Sequence, residues 1–124
     1  MARMTDEMIE ACYRGGVEVS EGRAIHHHER DRIVAAIGMN QASASYYLSA
    51  VDALLSGGDI KYDINSKAVN RYLERIREDY GDAALGVAAE VCIRRYEETK
   101  KLGNTCHYYK RIAEEHLREI NDGH

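Results

Sequence analysis

Two runs of apolar residues restrict the kind of fold open to this chain. Ala44, Tyr47, Leu48, Val51 and Leu55 fall at i, i+3, i+4, i+7 and i+11, and Val69, Tyr72, Leu73, Ile76 and Tyr80 repeat that spacing. The period places each set along one stripe of an α-helix. Each run closes on glycine, at Gly57-Gly58 and at Gly81, and no proline occurs anywhere in the sequence. Nothing therefore removes a backbone donor or kinks a helix between those stops.

The remaining segments follow the same grammar. Thr5 is placed to cap a first helix carrying Met8, Ile9, Cys12 and Tyr13, with Gly15-Gly16 as its stop. Residues 17–24 read either as a polar loop or as a continuation of that helix. A second helix is expected over His27 to Ile37, with Ile33, Val34 and Ile37 inward and Gly38 ending it. Asn40 or Ser43 caps the third helix. Ile60, Tyr62 and Ile64 alternate with polar residues, which suggests a short extended segment: a covered linker, or an edge that pairs in a dimer. A fourth helix starts near Asn65 or Ser66. Gly81 then stops it and Asp82 caps a fifth, whose Leu85, Ala88, Ala89, Cys92 and Tyr96 share a face. Gly103-Asn104-Thr105 repeats the stop-and-cap pattern before a last helix with Tyr109, Ile112, Ala113, His116, Leu117 and Ile120 inward. The tail, 121–124, is expected to fray. These segments specify an all-α fold: one domain over 1–124, a bundle of about five to six helices with a helix-turn-helix-like corner at Gly38–Asn40.

Composition narrows the setting. The chain of 124 residues holds nine Tyr but no Phe and no Trp, so Tyr must do the aromatic packing. Its three Cys are widely spaced with no CxxC pair, and no apolar run resembles a signal peptide or a membrane span. A cytoplasmic protein with reduced thiols is expected. The net charge of −4 argues against a strongly basic nucleic-acid binder, yet the acidic excess lies wholly in the first half. In the second half Arg94, Arg95, Lys100, Lys101, Lys110 and Arg111 face only Glu97 and Glu98, so a local basic patch is open to the fold.

That patch is the first candidate site. Arg94, Arg95, Lys100 and Lys101 close the fifth helix, His107, Tyr108, Lys110 and Arg111 open the sixth, and a short turn at Gly103 brings them together. Cations interleaved with tyrosine suit a phosphate backbone and its bases. The plainer alternative is that Lys100 and Lys101 complement a helix dipole while Lys110 and Arg111 pair with Glu114 and Glu115 at i+4. The second candidate is the corner itself. Gln41, Ser43, Ser45 and Tyr46 would face a DNA groove, with Asn40 on a phosphate. No Lys or Arg occurs from Gln41 to Leu55, however, and helix-Gly-helix also describes any tight helical hairpin.

Other constellations are weaker. His26-His27-His28 point three ways on a helix, which gives no metal site of four convergent ligands. His116, on an apolar face, reads as a core histidine. The chain has no HExxH, no phosphate-cradling glycine loop and no evident nucleophile–base pairing. Neither catalysis nor a cofactor is expected.

The stretches MNQASASYYLSAVDALLSGG (Met39–Gly58) and NSKAVNRYLERIREDYGDAALGVAAEVCIRRYEE (Asn65–Glu98) resemble the helical N-terminal region of HNH-type restriction endonucleases. The shared features are an Asn and Ser-Ala opening, a closing Gly, and a helix ending in Asp-Tyr-Gly before an Ala-rich helix. No HNH-like His-Asn-His array accompanies them. The resemblance implies a noncatalytic accessory or targeting module in a DNA context, with DNA and a nuclease as its partners; the lack of an apolar span sets the expectation of no membrane partner. The alternative, from the small-residue face of the fifth helix, the many Tyr and the 60–64 segment, is a homodimeric protein-interaction module that binds no nucleic acid.

Overall fold

The computed structural model describes residues 4–122. They form six helices: α1 (Asp6–Ser20), α2 (His26–Ile37), α3 (Gln41–Ser56), α4 (Ser66–Tyr80), α5 (Asp82–Lys101) and α6 (His107–Asp122). The first three pack on one another and so do the last three. α3 against α5 is the main seam between the two trios, with α1 touching α4 beside it. Residues 123–124 of the expected frayed tail lie outside the described residues.

Caps set the boundaries as the sequence suggests. Thr5, Asn40 and Asn65 each place a side-chain oxygen on the backbone N–H three residues on, at 3.2, 3.1 and 2.8 Å. Each satisfies a donor that the first helical turn leaves without a partner. Gly38 and Gly57 end α2 and α3 in the left-handed conformation, with φ of 75° and 81°, which a side chain would strain. At the α4–α5 junction Gly81 takes the cap position, and Asp82 is the first residue of α5 and accepts from Arg77 Nε at 2.9 Å.

Gly15-Gly16 does not stop α1. The helix runs through both to Ser20, and both glycines are buried. A Cβ on Gly16 would lie 2.5 Å from Val51 Cβ of α3, and one on Gly15 would lie 2.9 Å from Leu48 Cδ2. The pair lets two backbones approach. Tertiary packing here outweighs the roughly 1 kcal/mol that glycine costs inside a helix.

The 57–65 connection forms no strand. Ile60 and Ile64 are buried under the seam between the trios, while Tyr62 stays exposed. The Ile64 N–H donates to Tyr109 Oη at 3.0 Å, its carbonyl accepts from the Tyr108 hydroxyl at 2.7 Å, and the Asn65 N–H donates to Tyr47 Oη at 3.0 Å. Tyrosine side chains of its own chain thus hold the backbone at its Ile64–Asn65 end. It is a covered linker.

The same device joins the trios. Tyr72 of α4 donates to the Ile9 carbonyl of α1 at 3.1 Å, and Tyr13 of α1 donates to Asp79 of α4 at 2.8 Å. Phenylalanine could supply the ring area at these positions but not the bonds. Tyr80, expected inward, instead lies 40% exposed at the end of α4 and donates to Glu21.

Candidate nucleic-acid interface

The α5–α6 corner gathers part of the expected basic set. Tyr96, on the last turns of α5, presents a ring to Lys100 Nζ at 5.9 Å and to Lys110 Nζ at 5.3 Å, with the His107 ring 5.7 Å away. Tyr96 itself is buried, so it acts as a floor against which two ammonium groups are held. Thr99, also buried, steadies the turn: its hydroxyl donates to the Tyr96 carbonyl at 3.1 Å and accepts from the Cys106 N–H at 3.4 Å.

The cations of the corner have no carboxylate partner. Most cations of the described chain sit within 4.0 Å of a carboxylate; Arg75, for example, reaches Glu10, Glu78 and Asp79. Among the described residues Lys100, Lys101, Lys110 and Arg111 have no such partner, and elsewhere only Lys61 and Arg118 share that condition. The i+4 pairs Lys110–Glu114 and Arg111–Glu115 do not form. Lys100 and Lys101 lie in the last turn of α5, where the helix dipole favours cations. α6 reverses that arrangement. It has no acidic residue in its first turn, and Lys110 and Arg111 follow directly, so its positive end and its cations add.

Arg94, Arg95 and Tyr108 occupy different positions from the rest. Arg94 donates to Asp59 at 3.0 Å and to the carbonyls of Gly57 and Gly58 at 2.8 Å, closing the C-terminus of α3. The Arg95 side chain is only 13% exposed and bonds Asp63 at 2.8 Å. Tyr108 stacks on Tyr109 at 4.6 Å, and its hydroxyl is spent on Ile64; burial pushes its pKa up to about 12. All three hold the fold, and a phosphate would have to displace bonds already made. Their roles depend on Asp59, Asp63 and Ile64, more than thirty residues earlier in the chain.

At the α2–α3 corner α3 is a central helix. It buries Ala44, Tyr47, Leu48, Ala50, Val51, Ala53 and Leu54. Asn40 is spent on capping the Ser43 N–H, and Ser45 meets His26 Nε2 at 3.0 Å. Gln41 is exposed and Ser43 half-buried, but no cation of α3 joins them. These residues belong to the first trio and the α5–α6 corner to the second, and among the described residues no hydrogen bond or ion pair joins Asn40, Gln41 or Ser43 to that corner.

The thiols are quiet. Burial pushes Cys12 and Cys92 up to about 12. Cys106, half-buried 3.6 Å from Asp63, is also raised, by burial first and then by that carboxylate. His116 is buried with Nε2 2.8 Å from Asn70 Oδ1, a core histidine with a partner. Among the described residues no group of three or more His, Cys, Asp or Glu could hold a metal, and no helix is long and apolar enough to cross a membrane.

The fold and corner define an all-α bundle of two three-helix trios with a basic corner. Comparison with protein-family models, with curated proteins and with solved structures finds no match.

Proposed function

We propose that this chain is a noncatalytic, nucleic-acid-associated helical module that engages phosphate through Lys100, Lys101, His107, Lys110 and Arg111. One observation carries the reading: Lys110 and Arg111 stand without carboxylate partners at the positive end of α6, and Lys100 and Lys101, also without one, face them from the last turn of α5. The chain leaves that potential unrelieved, and an anion would relieve it. A net charge of −4 opposes a polyanion at long range, so attraction acts only within about a Debye length of the corner. A role beside a DNA-cleaving partner rests on the sequence resemblance alone. For the homodimer reading, Ile60, Ile64, Ala88 and Ala89 are buried within the chain, which leaves Tyr62, Ala83, Gly86 and Val87 as the surface a second copy could use.

The test is fluorescence anisotropy of the full chain on labelled single-stranded and duplex DNA across a salt series. Affinity should fall linearly on a log–log plot. Each of Lys101→Ala, Lys110→Ala and Arg111→Ala should weaken binding and make the slope shallower by about 1. Absence of binding at low salt, or an unchanged slope in the combined variant, overturns the proposal.

A further inference from the structure

Tyr46 and Tyr62 form an outward stack. Their ring centroids are 4.2 Å apart at 18°, and the residues are 36% and 55% exposed. Tyr46 comes from the second turn of α3 and Tyr62 from the 57–65 connection, so the fold assembles the pair. Among the described residues neither hydroxyl has a hydrogen-bond partner, unlike those of the buried tyrosines that tie the trios together. A groove of about 290 Å³ runs beside the stack, lined by Ser49, Asp52, Ser56, Asp59 and Lys61. Asp59 is neutralised by Arg94, which leaves Asp52 and Lys61 as the groove's available charges.

The stack is tied to the basic corner through the residues next to it in the chain. Tyr62 precedes Asp63, whose Oδ2 lies 3.6 Å from Cys106 Sγ, and Cys106 precedes His107. Tyr108 holds the Ile64 carbonyl on the other side. Arg95, at 2.8 Å, neutralises the Asp63 carboxylate that would otherwise stand between the stack and the cations.

We infer that the Tyr46–Tyr62 pair is a base-stacking platform and that the ligand of the basic corner is single-stranded nucleic acid. The inference rests on the nucleic-acid reading above. Flat rings half in water match unpaired bases, whereas a duplex stacks its bases on each other and offers no face. The groove beside the rings offers a bound nucleotide the acceptors Asp52, Ser49 and Ser56 and one cation, Lys61. The strand then continues toward His107 and Lys110. Stacking of this kind tolerates any sequence, because every base has a π-face.

The experiment compares the full-length wild type with Tyr62→Ala and Tyr62→Phe, using a short labelled single strand of mixed sequence and its duplex, over a salt series. Wild type should prefer the single strand. Tyr62→Ala should weaken that binding about tenfold without changing the salt slope, since no phosphate contact is lost. Tyr62→Phe should bind as wild type, which separates the ring from the hydroxyl. Thermal unfolding followed by circular dichroism should be alike in all three. Salt-sensitive binding that Tyr62→Ala leaves intact, or a preference for duplex, overturns the platform while the basic corner stands. Absence of binding to either probe overturns both.

Discussion

Gly16 of α1 rests directly on Val51 of α3: a Cβ placed on the glycine would fall 2.5 Å from the valine Cβ. Both residues sit at the closest approach of α1 and α3. Gly16→Ala should therefore destabilise the fold by roughly 1–3 kcal/mol, even though alanine favours an isolated helix by about 1 kcal/mol. Pairing it with Val51→Ala, which removes the opposing methyl groups, should recover part of the loss. Urea unfolding of the four proteins in a double-mutant cycle measures this coupling, and strict additivity would show that the two residues do not clash.

The two tyrosines that hold Ile64 should differ in cost. Tyr109 is fully buried and its oxygen is the acceptor for a backbone N–H. Tyr109→Phe leaves that donor without a partner and should cost about 1–3 kcal/mol. Tyr108 is half-exposed, so water can replace the bond lost in Tyr108→Phe, at about 1 kcal/mol or less. Amide exchange at Ile64 should speed up more in the Tyr109 variant.

Arg94 should prove structural. Its bonds to the last carbonyls of α3 and to Asp59 are partly exposed, so Arg94→Met should cost only about 1 kcal/mol of stability. The salt slope of nucleic-acid binding should stay at the wild-type value. A slope shallower by about 1 would place Arg94 on a phosphate after all.

Alkaline pH should unfold the protein in a predictable window. Cys12 and Cys92 are raised from 9.0 to about 12 by burial. Below pH 9 their thiols are protonated in both states and stability is unaffected. Above it the unfolded chain ionises first, so stability falls as pH rises toward 12, by about 1.4 kcal/mol per pH unit for each group. The buried phenols of Tyr13, Tyr72 and Tyr109, also raised by burial, act in the same direction. Urea midpoints between pH 8 and 11 follow the loss. At pH 8 a thiol reagent should modify Cys106 first, with Cys12 and Cys92 reacting only as fast as the fold opens.

Helix existence, type and the Thr5, Asn40 and Asn65 caps were legible in the sequence because they depend on residues three or four apart, whereas Asp82, expected as a cap, became the first residue of α5. The stripes of α3 and α4, the Asn caps and the glycine stops are all local. Gly15-Gly16 misled for a physical reason: glycine ends a helix or admits a neighbour, and only Val51 and Leu48, from a distant helix, decide which. The 60–64 alternation left two readings open because a segment with one apolar face looks alike whether the cover is the same chain or a second copy.

The basic corner was half legible. Its cations and the turn that joins them are adjacent in sequence, but charge pairing is a through-space property. Nothing in the order of residues shows that Asp59 and Asp63 neutralise Arg94 and Arg95 while Lys110 and Arg111 stay unpaired. The joining of Tyr46 to Tyr62 across the 57–65 connection was equally hidden.

The sequence by itself determined an all-α class of about five to six helical segments and most of their ends, since periodicity and capping are carried by short-range backbone geometry; the end of α1 and the cap of α5 it did not determine. Only the tertiary structure decided the use of the tyrosines. Tyr13, Tyr47, Tyr72, Tyr108 and Tyr109 bridge elements by their hydroxyls, and Tyr46 and Tyr62 remain outside with hydroxyls that bond nothing in the described chain. The ring area that each buries follows from its own stripe, but the partner of each hydroxyl is fixed by chain folding over tens of residues.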